Sequence, residues 1–230
     1  MARGLVTRGL SWPDAQRVVP SPDAPVAAFA ALVDGPRELE LLLELEGLTN
    51  PLAREAANHL PAIPPTRRYH GALAGLVMLP FVLPRASRFS DGFFGVLYAA
   101  DVVETALVEA AHHAGGRLAA AKAPAGTTLR LYGFTLDIRG DLVDARRGEP
   151  GVADAIYEPD SWLAGQAFGR ALRAATSLGL HYTSVRHPAG SCVGLFWPDG
   201  ARNAAEASRW LLFWNGTAFE YVAQEYTPTR

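Results

Sequence analysis

Six side chains carry the chemistry that this sequence could perform: Arg17, Arg88, Tyr98, Glu109, His113 and Ser184. Two guanidiniums offer planar forks that fit phosphate oxygens. Tyr98 ends an apolar run and supplies an aromatic face. Glu109 is a carboxylate within a helical stretch that is otherwise largely apolar, and Thr105, Glu109 and His113 follow at i, i+4 and i+8, so they project from nearly the same helix face. Together with the Ser184 hydroxyl, this set suits cleavage of a glycosidic bond in a phosphorylated substrate. The guanidiniums would hold phosphates, the ring would pack on a base, and a carboxylate would stabilise the positive charge that develops on the sugar. Singly, each residue has an ordinary alternative: surface ion pairs for Arg17 and Arg88, a core aromatic for Tyr98, a solvated helix residue for Glu109, a strand serine for Ser184. The set is what points to chemistry.

Other chemistries find little support. There is no Gly-x-x-x-x-Gly-Lys loop, no Gly-x-Gly-x-x-Gly, no His-Glu-x-x-His and no Gly-x-Ser-x-Gly. His112 and His113 are adjacent, and neighbours on a helix diverge by roughly 100°, so they do not readily share one ion; no metal site is expected. Cys192 is the one cysteine. It cannot form an intramolecular disulfide and lies in the apolar run Cys-Val-Gly-Leu-Phe, which suggests a buried strand thiol. Formal net charge is −2, and Lys occurs once, at Lys122, with no basic run, so direct nucleic-acid binding is not expected. With no signal-peptide core and no apolar run of spanning length, the expectation is a cytoplasmic protein without membrane insertion.

The elements that would position these groups can be read along the chain. At 230 residues, 49% of them hydrophobic, it can bury a core as a single domain. Residues 1–15 read as an irregular N-terminal segment and 16–230 as the domain. A short strand starts at Gln16 and stops at Pro20 and Pro22. Helices are expected over Val26–Leu32, Pro36–Glu46 and from Thr49-Asn-Pro to about His59. Leu76–Leu83, apolar with Pro80 inside, reads as an edge or bulged strand. A strand over Gly95–Ala100 then leads to a helix capped by Asp101 and closed by Gly115-Gly116. Thr128–Asp137 alternates and reads as a half-exposed strand, with a separate short strand at Asp141–Asp144. A helix from Pro159 to about Ser177, strands over Leu180–Val185 and Cys192–Trp197, and a hairpin turning at Asn215-Gly216 complete the list. The mixed order argues for α+β.

Three segments in this order resemble the RES-domain family, named for its Arg, Glu and Ser. They are Arg17-Val-Val-Pro-Ser; then Ser87-Arg-Phe-Ser-Asp-Gly with Val-Leu-Tyr98-Ala and Glu-Thr-Ala-Leu-Val-Glu109; then Gly179-Leu-His-Tyr-Thr-Ser184-Val-Arg-His-Pro-Ala-Gly-Ser-Cys-Val. The likeness runs from about residue 16 to about 215 and includes Leu48-Thr-Asn-Pro and Gln166-Ala-Phe-Gly-Arg. Beyond Arg17 the chain has Ser-Pro-Asp-Ala-Pro where the family shows an aromatic and a basic residue, and Ser191 precedes Cys192 where an acidic residue is more usual. The resemblance implies an ADP-ribosyltransferase-like α+β fold with a split central sheet, flanking helices and a cleft for NAD. It implies an NAD-consuming enzyme, a phosphorylase or glycohydrolase, as the toxin of a toxin–antitoxin pair. The alternatives are ADP-ribosyl transfer to a protein and a catalytically silent interaction module. By the same resemblance Glu109, Arg17 and Ser184 are catalytic, and Arg17, Arg88, Tyr98, Ser184 and His113 contact NAD. NAD is then substrate and not cofactor, inorganic phosphate is a candidate co-substrate, an antitoxin protein is the expected partner, and homo-oligomerisation stays open.

Overall fold

The computed structural model describes residues 4–21, 35–46, 48 and 50–226. The helix expected over Val26–Leu32 lies outside them. The chain runs through strand β1 (Val6–Pro20), helices α1 (Pro36–Glu46), α2 (Pro51–His59) and α3 (Ala74–Val82), the small hairpin β2 (Ala86–Ser87) and β3 (Ser90–Asp91), and strand β4 (Leu97–Ala100). Helix α4 (Val103–Ala120), strand β5 (Thr128–Asp144) and helix α5 (Leu163–Ala174) follow, then β6 (Gly179–Thr183), β7 (Ser191–Leu195), β8 (Ala201–Trp214) and β9 (Phe219–Tyr226).

The seven-stranded sheet has the order β1-β4-β7-β6-β5-β8-β9, and β1 also pairs with β5. It is split as expected. One half is β1, β5, β8 and β9, in long antiparallel register; the other is β4, β7 and β6. The halves join at two thin seams. Gln16 opposite Ala100 is the paired position between β1 and β4, and β5 meets β6 in parallel only at Val143–Leu180 and Asp144–His181. A seam that is barely hydrogen-bonded leaves room for a cleft, and the cavity described below opens at the first one.

Strand alternation divides the core. Along β7, Val193 and Leu195 join the cluster under α1–α3 with Met78, Phe134 and Ile138, while Cys192 joins the cluster that includes Phe89, Leu172 and Tyr182. Along β4, Leu97 and Ala99 face the first cluster, and Ala100 belongs to the second with Tyr98 packed against it. Helix α4 therefore reaches the sheet on the side of Tyr98 and Cys192. As expected, the Cys192 thiol is buried.

Several elements differ from their sequence reading. The segment before Gln16 is not irregular: β1 begins at Val6 and passes Pro13 through a bulge between Trp12 and Ala15, where Asp14 takes a φ of 56°. The stretch read as a strand over Leu76–Leu83 is instead the helix Ala74–Val82, with Leu83 just past its end. It is buried almost all round, so it carries no period to separate helix from strand. Its Pro80 carbonyl lies so close to Gly95 that a Cβ there would collide with it, which is why the chain entering β4 needs glycine. Asp101 does not cap α4. Its carboxylate accepts from the backbone N–H of Val102 at 2.9 Å and Ser191 at 3.1 Å, tying the helix entrance to β7. Gly115-Gly116 does not end α4, which continues to Ala120 and stops where Lys122 adopts a φ of 51°. β5 is one strand where two were expected, and most of its centre is buried. The last hairpin does turn at Asn215-Gly216, but through a longer loop in which the Asn215 carboxamide oxygen accepts from the N–H groups of Thr217 and Ala218 at 2.8 Å.

Candidate functional site

A cavity of about 180 Å³ opens beside the β1–β4 seam and is walled by β1, the β2–β3 hairpin, β4, α4 and the approach to α5. Arg17, Arg88, Tyr98, Glu109 and His113 all line it, along with Trp162, Tyr182 and Arg186. Ser184 lies directly behind Glu109. Five groups carried by four stretches of chain, with Glu109 and His113 both on α4, thus meet at one hollow, and the sixth touches one of them.

Glu109 and Ser184 form the most sharply defined contact. The Ser184 hydroxyl accepts from the backbone N–H of His187 at 2.9 Å and of Arg186 at 3.2 Å. Its own proton is then directed to Glu109 Oε1, 2.6 Å away. Ser184 is buried, whereas the Glu109 side chain keeps 24% of its surface exposed toward the cavity. One carboxylate oxygen is tied down. The other, Oε2, has His113 Nε2 at 3.9 Å. Burial holds the His113 imidazole below its ordinary pKa, with Glu109 opposing the shift, so the ring is neutral near pH 7. Half exposed, it meets Trp162 edge-on with centroids 6.2 Å apart.

The two expected guanidiniums are anchored differently. Arg17 Nη1 donates to the Tyr98 carbonyl at 2.6 Å across the seam, and its buried Nε has no hydrogen-bond partner. Burial pushes its pKa down to about 10, which still leaves it cationic at neutral pH. Arg88 Nη1 is held by the carbonyls of Ile156 at 3.1 Å and Glu158 at 2.8 Å. Burial lowers its pKa first, and the nearby Arg186 cation adds to the effect. Arg186 is itself fixed through Nη2 to the Pro159 carbonyl at 2.7 Å. A cavity with three guanidiniums among its lining residues and one carboxylate suits a ligand carrying several negative charges and one site of developing positive charge.

Tyr98 lines the cavity, but its hydroxyl serves the fold. It pairs with Ser87 Oγ at 2.8 Å and accepts from the Phe89 N–H at 3.2 Å, bracketing Arg88 on both sides. Burial pushes its pKa up to about 12, so it stays a neutral phenol. The ring offers a face; the hydroxyl holds the loop that carries Arg88.

Sequence reasoning did not single out Trp162, which reads as part of a helix-opening Pro-Asp-Ser-Trp, nor Tyr182, which looks like an ordinary strand aromatic. The link between Thr105 and His187 was also missed, since nothing local in either segment signals that a helix hydroxyl and a loop imidazole will meet at 2.9 Å. Among the described residues, no group of three or more His, Cys, Asp or Glu gathers as a metal site would require, and no helix is long and apolar enough to cross a membrane.

The RES domain family model matches residues 59–215, more than half of the chain. The chain belongs to the RES domain family. Arg88, Tyr98, Glu109, His113 and Ser184 fall inside the matched RES span, while Arg17 lies before it and joins the cavity through β1. No curated protein matches the sequence. Among solved structures, this RES protein is similar to a chain in the crystal structure of the M.tuberculosis MbcT–MbcA toxin–antitoxin complex, with 16% identity and a TM-score of 0.36 over 60% of this chain and 70% of that one.

Proposed function

We propose that this RES protein cleaves the bond between nicotinamide and ribose in NAD, passing the ADP-ribose moiety to phosphate or water, and that it acts as the toxin of a toxin–antitoxin pair. The observation that carries the chemistry is the Ser184–Glu109 pair at 2.6 Å, beside a cavity whose lining includes Arg17, Arg88 and Arg186. A dinucleotide pyrophosphate is the kind of ligand that several guanidiniums attract. The bond from ribose C1″ to the pyridinium nitrogen breaks with its electron pair leaving on nicotinamide, and the sugar becomes an oxocarbenium-like cation. Glu109 stabilises that cation. Its charge is aimed because Ser184 fixes one oxygen and leaves the other toward the cavity. Phosphate or water then forms the new C–O bond at C1″, and in the case of water a proton is released. His113, neutral near pH 7, leaves the negative charge of Glu109 available to the sugar. The toxin role rests on family membership, and an antitoxin protein is the expected partner.

The decisive test is incubation of the purified chain with NAD, with and without inorganic phosphate, and identification of the products by mass. ADP-ribose 1″-phosphate is expected if phosphate is the acceptor, ADP-ribose if water is. ADP-ribose found covalently on protein would move the reading to a transferase, and NAD left intact under every acceptor would overturn it.

A further inference from the structure

Thr105 is buried with no exposed surface, one helical turn before Glu109 on the same face of α4. A buried hydroxyl requires a partner. It finds one in the loop joining β6 and β7, where Thr105 Oγ1 and His187 Nδ1 are 2.9 Å apart. That loop is closed on itself: Ser184 N–H donates to the Gly190 carbonyl at 3.0 Å, and Gly190 N–H to the His187 carbonyl at 2.7 Å. Gly190 also lies so close to Thr105 that a Cβ would collide with the hydroxyl, so the loop is moulded around this one side chain. His187 connects the two ends. Its ring is tethered to Thr105, and its backbone N–H donates to Ser184 Oγ, which in turn donates to Glu109. The result is a circuit that leaves α4 at Thr105, passes through His187 and Ser184, and returns to α4 at Glu109.

We propose that Thr105 and His187 are positioning residues for Glu109: they dock the β6–β7 loop on α4 so that the Ser184 hydroxyl is delivered to the carboxylate. Neither residue lines the cavity. Both act through Ser184. The proposal deepens the NAD-cleavage reading and rests on it for its kinetic part, but the docking itself has a readout that needs no activity.

The test uses Thr105→Val, which keeps the shape and removes the hydroxyl, Thr105→Ser, which restores it, and His187→Ala. Each is followed by nicotinamide release and by backbone amide hydrogen exchange at Arg186, His187 and Gly190. In T105V, kcat is expected to fall about tenfold with KM changed less than about twofold, because a loosened carboxylate is lost chiefly in the transition state. Exchange at the three amides accelerates, T105S recovers most of both, and H187A behaves like T105V. A merely structural threonine would lower stability without a selective loss of kcat and without rescue by serine. Either unchanged turnover or unchanged amide exchange in both T105V and H187A overturns the proposal. Should the parent leave NAD intact, the functional reading fails alone, and amide exchange by itself decides whether the loop is held by this pair.

Discussion

Two arginines, Arg17 and Arg173, share a lowered pKa and a shut-off nitrogen and sit in different company. Burial pushes each down to about 10, and each has one nitrogen that is shut off from solvent and lacks a hydrogen-bond acceptor. Arg17 crosses the β1–β4 seam to a backbone carbonyl and lines a cavity that also contains Glu109 and Arg88. Arg173 lies over the Trp197 ring, 3.1 Å from its centroid, with Arg67 also on that ring at 4.1 Å. Its cavity, about 50 Å³, is lined mainly by Phe81, Phe94, Phe196, Trp197 and prolines. A desolvated guanidinium does not identify a site. Cation–π contact accounts for Arg173 as packing, whereas Arg17 faces a space furnished with the groups a charged substrate would need.

The largest expected effect in the molecule belongs to the carboxylate sharing the cavity with Arg17. Glu109→Gln preserves size and a hydrogen-bond acceptor for Ser184 but removes the charge. Nicotinamide release is expected to fall by about 10³-fold, with the melting temperature little changed. Activity within a few-fold of the parent would mean that the cavity around Arg17 is no more catalytic than the one beside Arg173.

Next comes Arg17→Met, which keeps an unbranched side chain and discards the fork. Loss of a phosphate contact should appear mainly as a KM for NAD raised by about 30-fold, with a smaller change in kcat. An unchanged KM, measured by initial rates across NAD concentrations, would remove Arg17 from the binding site and reduce it to a tie across the seam.

The two regions also differ in how much of them could be read from sequence. Residue type alone did not single out Arg17, Glu109 or Ser184; the resemblance of their three segments to the RES family, in that order along the chain, is what put them together, and only the Thr105–Glu109–His113 face follows from 3.6 residues per turn. The helix at Ala74–Val82 was not legible. Buried on nearly every side and carrying Pro80, it shows neither the helical period nor a boundary signal. The start of β1 was hidden by Pro13, which a bulge absorbs, and the capacity of Tyr98 to hold the Arg88 loop depends on a contact between β4 and a small hairpin that no local pattern encodes. The Trp197 stack is the same kind of fact. It joins Arg67, Arg173 and Trp197 from three distant segments, and only the folded chain puts two guanidiniums against one indole.

A smaller effect is expected at His113. Burial disfavours the imidazolium, so the ring stays neutral below the ordinary imidazole range and gains a proton only at more acidic pH. Once charged, it competes with the sugar cation for Glu109, 3.9 Å away, and turnover drops. His113→Gln should leave the rate near pH 7 within about threefold but retain a larger share of it at about pH 5 than the parent does. Parallel pH profiles for variant and parent would show that the imidazole does not govern the acid limb.

The smallest expected effect closes the comparison with the same substitution at the other arginine. Arg173→Met keeps the unbranched stem on Trp197 while removing a cation and a buried N–H that has no acceptor. Replacing a poorly compensated buried charge by an apolar side chain of similar length is often neutral or stabilising. NAD turnover is therefore expected within about twofold of the parent and the melting temperature unchanged or raised by a few degrees. Thermal denaturation and initial rates measured on Arg17→Met and Arg173→Met side by side make this a direct contrast. A loss of NAD affinity in Arg173→Met as large as in Arg17→Met would show that the aromatic pocket takes part in substrate binding, and that company around a buried guanidinium does not separate a binding cation from a packing one.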